Sequence, residues 1–408
     1  MITNRLFLLG FRLIALLSFS IDVRGEERRI DDKSDFNERD EKLFPLFTVI
    51  QFANTVCAGS NGMNGTCLTA NDCQSRNGSP GGTCAAGYGT CCIISLGCGG
   101  MSSSNNTYFT SSGTETGMCS VTICPCDSNV CQLRLEFESF MLAGPSTIST
   151  SAFTIIKGTG VAGIGGKSTA VSQKTLCLSD TFSITSPGGA TGPTICGINT
   201  GQHMIMPMNS PSCNTLNMNL RGGPGSANWR IRAIQTECNS EVRAPDGCTK
   251  FFFGPVSHCL LTYNFDGGLH LGNQMENFCI RRERRMCSIC YSTAMDMDFD
   301  LTTKIAAGTK LSGDSGQCCN YGKTNQNHKG YDCIILPGKV FMSKALQNVL
   351  KANEFCGRGK GIIGPNNSVC TNSMPFRINF RSDGFESTNN EASVNNKGFK
   401  IYAIQNPC

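Results

Sequence analysis

The sequence predicts an all-β protein: two β-sandwich domains preceded by a small disulfide-rich module. Three observations predict it. Apolar residues recur at every second position in the longest hydrophobic runs, which is the period of a half-buried strand. Clusters of Gly, Pro, Ser and Asn separate those runs at hairpin-like distances, and nothing between them sustains helical periodicity. Finally, the 408-residue chain carries 26 cysteines, none before Cys57. Cross-links can hold together segments too poor in aliphatic residues to build a core.

Composition narrows the function. Charged residues make up only 16% of the chain, and the net charge is +5. Asn, Ser, Thr and Gly fill the surface instead. A disordered chain, a coiled coil and a collagen are excluded, and the weak positive balance argues against a nucleic-acid partner.

Residues 1–24 read as a secretory signal peptide: Arg5 is followed by the apolar stretches Leu6 to Gly10 and Leu13 to Ile21. Arg12 interrupts the run, no later segment is long and apolar enough to span a bilayer, and the C-terminal end has no hydrophobic tail. The expected product is therefore secreted, extracellular and without a membrane span. Residues 25–42 form a charged linker too polar to order itself, with Arg28-Arg29 as a candidate processing site. Leu43 to Phe52 is a strand candidate that opens the module over residues 43–95.

That module holds Cys57, Cys67, Cys73, Cys84, Cys91 and Cys92, with mostly Gly and Asn between them. Six cysteines allow fifteen pairings. The even total predicts thirteen bridges for the chain. Zinc ligation through Cys124 with Cys126, or Cys287 with Cys290, is disfavoured because exported thiols oxidise and no His lies nearby at ligand spacing. Four Asn-x-Ser/Thr sequons, at Asn64, Asn77, Asn105 and Asn366, agree with export and N-glycosylation.

Residues 98–238 form the first sandwich. Leu133, Leu135 and Phe137 share one strand face, as do Trp229, Ile231 and Ala233. Residues 248–408 form the second.

These motifs carry two resemblances. The module, with Gly65-Thr66-Cys67, five residues to Cys73 and a closing Cys91-Cys92, resembles the clip module of arthropod secreted proteins. The Cys98-Gly99-Gly100 opening, the Leu133–Phe137 strand, the pair Cys177 and Cys196, and a closing strand at Trp229 resemble a CUB domain. A divergent second copy is matched by Cys279, the run Tyr331-Asp332-Cys333, the segment Phe380 to Gly384 and the ending Gly398 to Tyr402. The whole is similar to secreted arthropod proteins carrying a clip-like module before CUB-like domains.

This resemblance implies bridges Cys177–Cys196, Cys98–Cys131 and Cys333–Cys356, with Cys248 and Cys279 also bonded. It implies a non-catalytic extracellular binding or adaptor protein, without a cofactor, whose partner is a protein or a glycan. The alternatives are a structural component of matrix or cuticle, and a non-catalytic modulator of a clip-protease cascade. Many CUB domains bind Ca²⁺. In the first copy Asp180 suits one ligand, but Ala143 occupies the glutamate position and the loop Arg221 to Ala227 offers no acid. In the second copy Asp332 and Asp383 are candidate calcium ligands.

Catalytic readings fail on spacing. Gly313-Asp314-Ser315-Gly316 matches the nucleophile motif of trypsin-like proteases, and His258 echoes their histidine. Only 57 residues separate His258 from Ser315, where a double barrel needs more than ~100. A polar turn is the plainer reading. Gly158 to Gly163 lacks the strand–helix unit of a dinucleotide loop. Asp296, Asp298 and Asp300 read as a solvated strand edge with Met295, Met297 and Phe299 facing inward. The basic run Arg281-Arg282-Glu283-Arg284-Arg285 reads as a solvated loop whose arginines would be split between two faces if extended.

Overall fold

A computed structural model describes residue 52, most of 54–150 and 172–301, residue 319, and most of 332–408. The internal gaps are 61, 187, 190, 224, 343–344, 350–352, 357–362, 364–366, 383–385 and 388–395. The signal peptide, the charged linker, residues 43–51 of the strand expected from Leu43 to Phe52, the Gly158 loop, Ser315, Asn366 and Asp383 lie outside the described residues.

The described chain is nearly all β. Its one α-helix, Ala70–Ser75, is six residues long and starts at Thr69, whose hydroxyl accepts the Asp72 N–H. Three 3₁₀ turns complete the helical content.

The cysteine module is built on strands Asn64–Leu68, Ser79–Cys84 and Gly89–Leu96. Its six cysteines pair first with fifth, second with fourth and third with sixth: Cys57–Cys91, Cys67–Cys84 and Cys73–Cys92. Cys91 and Cys92 are therefore tied to different, distant partners. The module is continuous with the first sandwich, because Gly89–Leu96 pairs in parallel with that domain's strand Thr107–Thr110. Tyr108 is fully buried against Cys91 and Ile93, and its hydroxyl accepts the Asn64 N–H.

The first sandwich packs two sheets. One contains Thr107–Thr110, Asn228–Glu237, Val130–Met141 and His203–Pro207; the other contains Thr181–Thr185, Asn214–Leu220, Gly117–Ile123 and Met101–Ser102. The predicted faces point inward: Leu133, Leu135, Phe137, Trp229, Ile231 and Ala233 all lie in one core. Phe137, Phe140 and Phe182 meet edge-to-face or tilted at 4.8–5.9 Å between centroids, a favourable aromatic geometry.

The second sandwich sets Lys250–Phe252, Met275–Ile280, Arg377–Arg381, Cys333–Ile335 and Glu354–Phe355 against a sheet centred on Gly398–Pro407 and Met286–Ser292. Its core includes Phe278, Tyr291, Phe380 and Phe399.

The bridges correct two expected pairings. Cys98 bonds Cys119, because Gly99 donates to Ser120 O (2.7 Å) and lays the turn along that strand. Cys131 bonds Cys238, because Val130 stands opposite Glu237 in the ladder. Cys333 lies in the same small cluster as Cys356 but bonds Cys319, and Cys356 is bonded to another partner. Cys177 pairs with Cys196, and Cys248 with Cys279.

The count of thirteen bridges is also corrected. Cys126 is an exposed free thiol and Cys259 a half-buried one. Cys259 faces Tyr402 across its ladder rather than a cysteine. Cys124, Cys287 and Cys290 are consumed in bridges, which dismantles both zinc-like spacings.

Asp296 to Asp300 depart from the expected alternation. Asp296–Asp298 is a 3₁₀ turn, so the period of two is lost. Met295 and Met297 are 62% and 48% exposed, while Asp298 and Asp300 are buried. The Asp298 carboxylate accepts the Met295 N–H at 3.0 Å.

Candidate binding surface

Backbone and side-chain bonds weld the two sandwiches together. Gln132 brackets Ala244, donating to its carbonyl (3.0 Å) and accepting its N–H (2.8 Å). Ile205 N donates to Thr249 O, and Tyr263 Oη to His203 O. Asn264 sits in left-handed backbone and accepts the Ile198 N–H through Oδ1 (3.0 Å). Gly197 is required opposite it: its φ is +76°, and a Cβ there would lie 1.8 Å from Asn264 Oδ1.

At the centre of this junction is a buried ammonium. Lys250 Nζ donates to Gln202 Oε1 (2.8 Å) and Leu261 O (2.7 Å), and pairs with Glu276 Oε2 at 3.0 Å. It lies 3.6 Å from the Tyr263 ring centroid and 4.6 Å from that of Phe278. Burial pushes the Lys250 ammonium down and the Glu276 carboxyl up, each opposed by the other's charge. Beside it, His203 Nε2 accepts the Phe251 N–H (2.8 Å), and burial holds this imidazole well below its usual range, with Arg134 and Lys250 adding to the effect. A cavity of about 470 Å³ also lies at the junction, lined by Gln132, Met206, Pro207, Thr249 and Met275 among others.

The strand that carries Lys250 inward ends by turning an aromatic ring outward. Phe253 is 36% exposed, with the Arg281 guanidinium 5.3 Å and the Arg134 guanidinium 5.9 Å from its centroid. Both cations are fixed from behind: Arg134 donates to Phe251 O and Glu136, and Arg281 pairs with Glu283 at 3.0 Å. Arg281 also holds the Glu283 carboxyl below the usual range. Val242 is exposed nearby, its neighbour Glu241 accepting from Arg281 through its carbonyl. Sequence reasoning missed Lys250, Glu276, His203 and Phe253. The signal was Phe251-Phe252-Phe253, a run that cannot keep all three rings on one face of a strand.

Two of the carboxylates considered for calcium, Asp180 and Asp332, make contacts within the protein. Asp180 is fully buried and accepts the N–H groups of Arg221 (2.8 Å), Gly222 (2.9 Å) and Ala143 (3.1 Å). Three amides thus do for this carboxylate what a cation would. Asp332 Oδ2 lies 2.5 Å from Nε2 of buried His270, whose Nδ1 meets Asn396 O at 2.8 Å. Among the described residues no group of three or more His, Cys, Asp or Glu converges to hold a metal. Asp180→Ala, which strands three N–H groups, is expected to cost about 3 kcal/mol by denaturant unfolding.

His258 is buried on strand His258–Leu261, and burial lowers its pKa. Among the sequons, Asn77 is exposed and Asn64 half-buried. Asn105 is turned inward: Nδ2 donates to Gln235 O, and Oδ1 accepts from Gln235 N and Asn106 N. No described helix is long and apolar enough to cross a membrane.

Comparison with known proteins adds one decisive observation: residues 245–406 match the animal CUB domain. The second sandwich is the part of the chain that this match covers. The chain also resembles the CUB1-EGF-CUB2 region of human MASP-1/3, at 11% identity over 73% of this chain and 98% of that one, with a TM-score of 0.22. The extracellular region of zebrafish Gpr126/Adgrg6 aligns at 8% identity over 76% of this chain and 36% of that one, with a TM-score of 0.19. No curated protein sequence gives a significant match.

Proposed function

We propose that this is a secreted, non-catalytic protein that binds other extracellular proteins through its CUB-like face. The observation that carries the reading is Phe253, held between two arginine guanidiniums on a disulfide-stapled junction. Exposed aromatic rings and arginines on rigid supports are the residue types that dominate protein–protein hot spots. The CUB match over residues 245–406 supports it, since that fold serves extracellular recognition. Asn77 is the glycan acceptor favoured by exposure.

The test is expression of the full chain in a secreting animal cell. The expected result is soluble, non-reduced protein in the medium, glycosylated at Asn77, that cross-links to a defined extracellular protein. Material released only by denaturant with reductant would make it a matrix component instead. Labelling of Ser315 by a serine-directed phosphonate would overturn the non-catalytic reading.

A further inference from the structure

We infer that the loop 281–285, together with Phe253 beside it, docks an acidic segment of a protein partner: several carboxylates around one apolar side chain. This rests on the protein-binding reading and adds the partner's chemistry.

The loop carries four arginines and one acid, and the acid is spent internally. Glu283 Oε1 accepts from Gly254 N (2.8 Å) and Arg281 Nε (3.0 Å). Arg282, Arg284 and Arg285 are exposed and form no ion pair among the described residues. Glu241, at the rim, is likewise exposed and in no described ion pair. The surface therefore presents positive charge that the described residues leave unmatched.

The backbone beneath these arginines is fixed. Arg281 N donates to Phe252 O (2.8 Å), Glu283 N to Gln405 Oε1 (3.0 Å), Gln405 Nε2 to Arg281 O (2.9 Å) and Cys408 N to Arg285 O (3.0 Å). Bridges Cys248–Cys279 and Cys287–Cys408 anchor both ends. Arg285 takes left-handed backbone (φ +62°), and Arg282 Nε donates to Met286 O. The run is thus the solvated loop expected from sequence, closed by a turn rather than extended. Little backbone entropy remains to be lost on binding, and planar guanidiniums suit bidentate pairing with carboxylates.

The apolar flank selects the partner class. Phe253, 36% exposed, adjoins the loop, and Val256, 66% exposed, follows three residues on in sequence. A sulfated glycan has no use for such an anchor, whereas an acidic peptide with a Leu or Phe among its carboxylates uses both parts.

The experiment selects short random peptides displayed on phage against the full secreted chain. Binding of the winners is then titrated at low and high salt to wild type, to R284S/R285N and to F253S. Secretion yield and thermal midpoint serve as controls for folding. The expected winners combine several Asp or Glu with an apolar residue. Their affinity should fall about fivefold in each variant and weaken with salt. Heparin fragments are titrated in parallel. Heparin binding without acidic-peptide binding would overturn the inference, as would acidic peptides indifferent to both variants. Non-acidic winners that bind elsewhere would sink the loop assignment while leaving the protein-binding reading intact.

Discussion

Replacing Lys250 with Ala is expected to cost about 3–5 kcal/mol, because it leaves the Glu276 carboxylate buried with its cation gone. The loss should be largely recovered in K250M/E276L, where two apolar side chains of similar reach replace the pair. Denaturant unfolding of the non-reduced protein reads both, using Trp229, the single tryptophan and a residue of the first sandwich's core. Lys250 itself belongs to the second sandwich but bonds Gln202 of the first. A shift of the Trp229 transition would thus report that the two sandwiches unfold as one unit. An unchanged Trp229 transition, with the second sandwich melting early, would refute that coupling.

Removing the Cys287–Cys408 bridge with C287S/C408S should cost nearly as much. The bonded residues are 121 apart in sequence. Cys290–Cys370 already short-circuits that span, which leaves an effective loop of about 40 residues, worth about 4 kcal/mol in chain entropy. A second readout is local. Cys408 N donates to Arg285 O, so amide exchange in 281–286 should rise even where the protein remains folded. Unchanged exchange there would mean that the loop owes its order to Gln405 and Phe252 alone.

The parts legible in the sequence were those governed by local periodicity. The strands Val130–Met141 and Asn228–Glu237 alternate over Leu133 to Phe137 and Trp229 to Ala233, and their inward faces there follow from that. The segment Asp296 to Asp300 also alternates in sequence, yet a 3₁₀ turn breaks the period: Phe299 stays inside, Asp298 and Asp300 join it, and Met295 and Met297 face out. Disulfide pairing was not legible for Cys98, Cys131 and Cys333, since partners are chosen by which strands become neighbours. The surface was legible only as charge: the arginine run stands out in the sequence, but not that Glu283 folds back and that Phe253 comes to lie against Arg281. The buried Lys250 and Glu276 were illegible for the opposite reason. Nothing local distinguishes them from solvated residues, and their burial follows from the meeting of two domains.

The parallel ladder between Gly89–Leu96 and Thr107–Thr110 bears on how the chain can be cut. A truncation before Cys98 would look like the tidy removal of an independent module. It would in fact peel a neighbour from Thr107–Thr110, uncover Tyr108 and leave a bare row of amides and carbonyls able to recruit a strand from another molecule. A shortened protein of that kind should self-associate, and any activity it lost would say more about its new edge than about the residues removed.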